Sequence, residues 1–222
     1  SMTQKPLEEE QIQLFFSDIE PLAASKVLVR LENETLSIGQ RILSQGLQLT
    51  VRGQDKIGII GPNGVGKSTL LAKLHQLLSG KREISLGFMP QDYQETLQLD
   101  LSPVEFLSQT GHKEEIQKIQ SHLASLNFSY PEMHHQIHSL SGGQQGKLLL
   151  LNLVLRKPNF LLLDEPTRNF SPTSQPEIRK LFATYPGGLV TVSHDRRFLK
   201  EVCTSIYSLT EHGLEVVDLQ DL

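Results

Sequence analysis

Apolar residues fall into distinct rhythms along this chain. Lys26-Val27-Leu28-Val29-Arg30-Leu31 and Leu47-Gln48-Leu49-Thr50-Val51 alternate with polar neighbours, the period-2 pattern of half-exposed antiparallel strands. Lys56-Ile57-Gly58-Ile59-Ile60, Phe160-Leu161-Leu162-Leu163 and Gly188-Leu189-Val190-Thr191-Val192 are short apolar runs, as in a parallel sheet covered on both faces. Gly87-Phe88-Met89-Pro90 is a shorter strand-like stretch. Leu70, Leu71, Leu74, Leu77 and Leu78 recur at helical spacing until Gly80, a fitting C-terminal cap. Helical signals dominate from Gln91 to Leu140: Ser102-Pro103 opens one helix through Val104, Phe106 and Leu107, and another runs through Ile116, Ile119, His122 and Leu123. From Lys147 to Leu155 the chain is almost entirely apolar until Lys157-Pro158, so that helix is buried all round. These elements predict an α/β fold with a mostly parallel core sheet, an N-terminal antiparallel β-subdomain and a helical insertion. The core takes residues 25–90 and 142–222 and the insertion residues 91–141. Residues 1–24, with Glu8-Glu9-Glu10 and Phe15-Phe16, read as a leader or connecting segment. Ser1-Met2 reads as a tag-cleavage scar on a piece excised from something longer.

Chemistry concentrates at the ends of the apolar runs. Gly61-Pro62-Asn63-Gly64-Val65-Gly66-Lys67-Ser68-Thr69 fits G-x-x-x-x-G-K-[ST] between a strand and a helix. Its glycines let backbone N–H groups turn inward as an anion cradle, Lys67 offers a point charge to β- and γ-phosphates, and the Ser68 hydroxyl is placed to ligate Mg²⁺. Asp164-Glu165-Pro166-Thr167 follows the Phe160–Leu163 run, where open α/β sheets bind ligands. Leu140-Ser141-Gly142-Gly143-Gln144 is a second Gly-rich turn, opening the buried helix with a phosphate-favouring N-terminus.

Together these segments resemble the Walker A, Walker B and LSGGQ signature motifs of the ATP-binding cassette (ABC) superfamily of P-loop NTPases. The resemblance covers the chain from about Lys26 onward. It implies an ATPase that uses ATP and Mg²⁺, with Asp164 holding the metal through its water shell and Glu165 polarising the attacking water as general base. Gln91 resembles the Q-loop glutamine that reaches Mg²⁺ or the lytic water, and His194 the switch histidine that hydrogen-bonds the γ-phosphate. Ile38 stands where a base-stacking aromatic is usual, leaving adenine an apolar contact. In this family Ser141, Gly142, Gly143 and Gln144 meet the γ-phosphate on the opposite domain. The implied partner is therefore a second cassette, in the same polypeptide or in a homodimer. Val192-Ser193-His194-Asp195-Arg196-Arg197-Phe198-Leu199, Gln91-Asp92-Tyr93-Gln94 and the leader around Lys5-Pro6 resemble the C-terminal cassette of ABC-F proteins, which act on the ribosome and reach toward tRNA. A transporter subunit driving a membrane permease carries the same motifs, and a weakly catalytic nucleotide-dependent interaction module is a further alternative. Arg168-Asn169-Phe170-Ser171 departs from the family's Asn-His-Leu-Asp, removing the D-loop aspartate that links the two sites. Gln145 and Gly146 stand where basic residues are common.

Composition adds exclusions. At 222 residues the chain suffices for a core burying roughly 70% of its unfolded surface. A net charge of −4 with no long basic run announces no nucleic-acid affinity by composition. One cysteine, Cys203, excludes an intrachain disulfide framework and fits a reducing, cytoplasmic compartment; it reads as a small core or helix residue. No apolar run approaches the ~20 residues of a membrane span, so no direct membrane insertion is expected. No long heptad marks the coiled-coil branches of the superfamily. His134, His135 and His138 cluster, but no cysteine or acidic motif completes a metal site, and they read as a solvated surface group.

Overall fold

The computed structural model describes residues 13–222. Ser1-Met2, Lys5-Pro6 and Glu8-Glu9-Glu10 lie outside the described residues. Strands β1 (Val27–Ile38) and β2 (Arg41–Arg52) form an antiparallel pair. A six-stranded sheet follows, built from β3 (Lys56–Ile60), β4 (Leu86–Met89), β5 (Phe160–Asp164), β6 (Gly188–Val192), β7 (Ser205–Thr210) and β8 (Gly213–Val217) in the order β4-β5-β6-β3-β7-β8. Every neighbouring pair in it is parallel except β7 with β8. This is the expected α/β architecture with a mostly parallel core.

Unbroken apolar runs arise because this sheet is covered twice. In β5, Phe160 and Leu162 face one core with Ile57, Ile59, Val190 and Val192. Helix α1 (Lys67–Ser79) packs Leu70, Leu71, Leu74 and Leu78 into that same layer, beneath the β1–β2 pair. Leu161 and Leu163 face the other core, with Leu148 to Leu151 of α5 (Gly142–Arg156), Phe182 of α6 (Gln175–Ala183) and Phe198 of α7 (Arg196–Val202). Alternate residues of one strand thus serve opposite layers, and no polar position is left between them.

Between β4 and β5 lies the helical insertion, with α2 (Pro103–Leu107), α3 (Lys113–Ser125) and α4 (Tyr130–His134) preceding α5. Helices α2 and α3 fall where the sequence places them; α4 is additional. The hairpin strands also run further than expected. Their distal parts carry exposed side chains such as Glu32, Asn33 and Gln45, with register irregularities between Leu31 and Glu34 and between Glu34 and Leu36. An exposed, irregular ladder has no apolar alternation to announce it. Gly80 caps α1 but in a right-handed conformation.

Residues 13–24 cross the second core: Leu14 is buried, and the Phe16 ring lies 4.8 Å from that of Tyr185 and 6.2 Å from that of Phe182. Among the described residues, no helix is long and apolar enough to cross a membrane. Cys203 is buried at the C-terminal cap of α7, and burial pushes its thiol up to about 12.

Candidate functional site

The turn after β3 is shaped by glycine. Gly66 has φ of 111°, and a Cβ there would meet Leu36 Cδ2 at 2.9 Å and Leu43 Cδ1 at 3.0 Å. Gly64 has φ of 86° with nothing within 4 Å of a Cβ, so backbone conformation rather than crowding selects glycine there. Past this turn the chain enters α1 at Lys67, whose buried ammonium curls back to donate to the Gly61 carbonyl and, at 3.0 Å, to that of Pro62. Burial lowers the Lys67 pKa, while the negative charges of Glu165 and Asp164 act the other way.

Ser68 Oγ donates to Asp164 Oδ2 at 2.8 Å, joining the first turn of α1 to the end of β5. The other carboxylate oxygen, Asp164 Oδ1, is buried without a hydrogen-bond partner. Desolvation raises the Asp164 pKa, and the Ser68 bond, Lys67 and Arg168 oppose that rise. Glu165 follows with φ of 50°, a left-handed conformation unusual for a residue with a Cβ. Its Oε2 accepts the His194 backbone N–H at 3.3 Å, and its Oε1 lies 3.5 Å from His194 Nε2. His194 Nε2 is also 3.1 Å from Asn63 Oδ1, so one imidazole bridges the P-loop and the carboxylate turn. Thr167 Oγ1 donates to Asp195 Oδ2 at 3.0 Å, and Asp195 caps α7 by accepting from the Phe198 N–H at 3.1 Å.

A cavity of about 350 Å³ gathers these groups: Asn63, Gly64, Gly66, Lys67, Ser68, Thr69, Gln91, Asp164, Glu165 and His194, with Ile38 and Leu43 as an aliphatic wall. Ile38 is 60% exposed, an uncovered apolar surface at the cavity mouth. Gly61, Pro62 and Val65 stand behind the lining; the first two supply the carbonyls that hold Lys67 and the third packs on the hairpin core. A neighbouring hollow of about 700 Å³ shares Ser68, Gln91, Asp164 and Arg168 with the first. Leu43, Asp195 and Arg168 are not among the sequence-predicted site residues: Asp195 figures there only within the Val192–Leu199 segment, Arg168 only as a departure from the family pattern, and Leu43 carries no signal.

The Ser141–Gln144 turn lies elsewhere. Ser141 caps α5, its Oγ accepting from the Gln144 N–H at 3.2 Å while Gln144 Oε1 accepts from the Ser141 N–H at 3.2 Å. Gln144 Nε2 donates to Glu132 Oε2 of α4. Gly142 and Gly143 leave open space, with nothing within 4 Å of an added Cβ. Neither they nor Ser141 or Gln144 line either cavity. At Gly146 an added Cβ would lie 2.7 Å from the buried Phe170 ring. The two departures at 146 and 170 are thus sterically matched. Ser171 Oγ lies 3.0 Å from Thr173 Oγ1 and 3.1 Å from Ser174 Oγ, in a hydroxyl cluster where the family carries a carboxylate. Of the clustered histidines, His134 Nε2 lies 3.1 Å from Gln120 Nε2 and His138 Nε2 lies 2.6 Å from Gln136 Oε1; they take separate partners.

A parallel sheet, a glycine turn feeding a helix and paired carboxylates at the next strand end define a P-loop nucleoside triphosphatase. A family profile described as ABC transporter matches residues 44–168, more than half of the sequence. The chain belongs to the ABC transporter family, as one of its ATPase cassettes. It is similar to "Probable ATP-binding protein YheS" of Escherichia coli (strain K12), 31% identical over 210 residues, covering 91% of this chain and 33% of that protein. It is also similar to "ABC transporter F family member 2" of Arabidopsis thaliana, 26% identical over 221 residues and covering 96% and 32%. The chain spans about a third of the length of these relatives. Among solved structures, its fold matches the dimeric ATP-binding cassette MJ0796 bound to ADP and Pi, with a TM-score of 0.71 at 20% identity, covering 86% of this chain and 98% of that one.

Proposed function

We propose that the 350 Å³ cavity holds Mg·ATP and that the chain hydrolyses it as half of a head-to-tail cassette pair. A separation carries this reading: Lys67, Ser68, Gln91, Asp164, Glu165 and His194 meet in one cavity, and no residue of Ser141–Gln144 lines it. A phosphate-favouring helix end that lines no part of this cavity is left free for a nucleotide held elsewhere.

The buried, unpartnered Asp164 Oδ1 beside Ser68 Oγ is a hard oxygen donor set suited to Mg²⁺. Ser68 and Asp164 would hold such an ion, which would supply neutralisation of the phosphate charge. Lys67 exchanges the carbonyls of Gly61 and Pro62 for phosphate oxygens, and the N–H groups of the loop complete the cradle. Glu165 takes a proton from the attacking water, held in place by the His194 N–H. His194 Nε2 leaves Asn63 to donate to the γ-phosphate, and Gln91 orients the water or the ion from the end of β4. Ile38 and Leu43 cover the adenine.

The parent protein is a cytoplasmic ABC-F factor whose two cassettes act on the ribosome. Similarity to the F family member and YheS, the Val192–Leu199 segment and the one-third span support this assignment. Steady-state hydrolysis is measured against concentration of the isolated chain. Specific activity rises with concentration under the paired reading, and full, concentration-independent activity sinks it. Co-sedimentation of the parent with ribosomes supports the ABC-F assignment, whereas co-purification with an integral membrane protein replaces it by a transporter.

A further inference from the structure

The geometry points to Arg168 as a second phosphate-contacting cation of the cavity, reaching the terminal phosphate of the nucleotide bound to its own chain. This assignment rests on the Mg·ATP reading above. Four residues line both hollows, Ser68, Gln91, Asp164 and Arg168, and Arg168 is the cation among them. Their shared boundary contains Ser68 and Asp164, which would hold Mg²⁺ under that reading, and so would be the terminal-phosphate end of the site.

The backbone beneath Arg168 is fixed on three counts. Its N–H donates to the Glu165 carbonyl at 3.2 Å, closing a tight turn. Thr167, just before it, is buried and bonded to Asp195 at 3.0 Å. Phe170, just after, is buried against Gly146. From this fixed base the side chain is exposed and, among the described residues, makes no hydrogen bond or ion pair. Its field nevertheless reaches the Asp164 carboxylate.

Charge balance gives such a cation a task. The smaller cavity presents Asp164 and Glu165 against Lys67 and Arg168. Without Arg168, two carboxylates face one ammonium while a polyphosphate must enter. A guanidinium fork matches phosphate oxygens bidentately, and a residue in the turn beside the metal site meets the terminal phosphate rather than the adenine end. It therefore distinguishes a triphosphate from a diphosphate, a property that Lys67 alone, spanning β and γ, supplies less well.

The test uses the full chain with fluorescent ADP and a fluorescent non-hydrolysable imido analogue of ATP, each titrated with Mg²⁺ present. Arg168→Ala lowers affinity for the imido analogue by about tenfold to a hundredfold, the span of one charge-assisted contact, and leaves ADP affinity unchanged. Arg168→Lys recovers part of the loss. Equal weakening of both nucleotides, or a shift confined to the Mg²⁺ titration, assigns Arg168 to support of Asp164 and overturns the proposal. Unchanged binding of both overturns it as well. Lys67→Ala serves as the control: if it leaves binding of both nucleotides intact, the cavity reading itself fails, independently of Arg168.

Discussion

At the scale of single residues, Glu165 is where stability and chemistry conflict. Its φ of 50° places a Cβ-bearing residue in the left-handed region, directly after the buried carboxylate of Asp164. That conformation costs roughly 1–2 kcal/mol for most residues and less for Asn. Glu165→Asn should therefore raise the melting midpoint by about 2–4 °C in a chain of this size while removing turnover. A thermal melt beside single-turnover hydrolysis reads both; a lower midpoint would show that the turn is not strained. Glu165→Gln keeps the conformation and the bond from the His194 N–H, so it should retain ATP binding and arrest hydrolysis. Unchanged single-turnover rates in the two-cassette parent would remove Glu165 from the role of base. The meeting of Lys67, Ser68, Asp164 and Glu165 in one cavity is legible from their fixed spacing after two strands. Leu43 and Arg168 are not legible in this way. Leu43 lines the site from a polar part of β2 with no periodic pattern, and Arg168 stands where the family motif assigns no cation.

At the scale of elements, the helical insertion is organised by side-chain caps. Ser102 with Glu105, Ser129 with Glu132 and Ser141 with Gln144 each form a reciprocal capping box at the start of α2, α4 and α5. All were written in the sequence as S-x-x-E or S-x-x-Q. Ser-Pro and the glycine turn announce the first and last, whereas the five residues of α4 are too short to show a helical period. Glu132 does two jobs: one oxygen caps α4 and the other accepts from Gln144. Glu132→Ala should cost about 1–2 kcal/mol of stability through the cap. ATP affinity of the isolated chain should hold, since neither α4 nor Gln144 lines the cavity. A large fall in that affinity would place Ser141–Gln144 at its own nucleotide and contradict the paired site. The loop between α2 and α3 rests on Glu115, which accepts from Ser108 Oγ and from the N–H groups of Gln109 and Thr110. These bonds depress its carboxyl from 4.5 to about 2. A depressed carboxyl stabilises the fold above its ordinary pKa and loses that effect as pH falls toward the folded value. The melting difference between wild type and Glu115→Gln should thus be largest near neutrality and shrink as pH drops below 4.5 toward 2. A difference that is flat across that range would show the charge to be irrelevant to the loop.

For the whole molecule, the two halves of the proposed paired site lie apart on one chain: residues 141–144 line neither the cavity at Lys67 nor its neighbour. Lys67 faces a cavity, whereas Gly142 faces open space at the start of α5. That arrangement makes a complementation experiment decisive. An Asp at 142 meets no atom within 4 Å at its Cβ, and a carboxylate in a first helical turn favours the helix, so the fold should tolerate it. The same charge repels a phosphate approaching from a partner. Gly142→Asp therefore should bind ATP normally yet fail to complete its neighbour's site, while Lys67→Ala should lose its own nucleotide and keep an intact Ser141–Gln144 turn. Each variant alone should be inactive. Mixed in equal amounts, half of the two-fold pairs are hybrids with one complete site, restoring about a quarter of the wild-type rate if the sites act independently. Recovery well below that value would mean that one occupied site cannot fire without the other. It would also show that coupling persists despite Ser171, whose hydroxyl is held within its own chain by Thr173 and Ser174. Full activity of Gly142→Asp by itself would return the whole reaction to a single cassette.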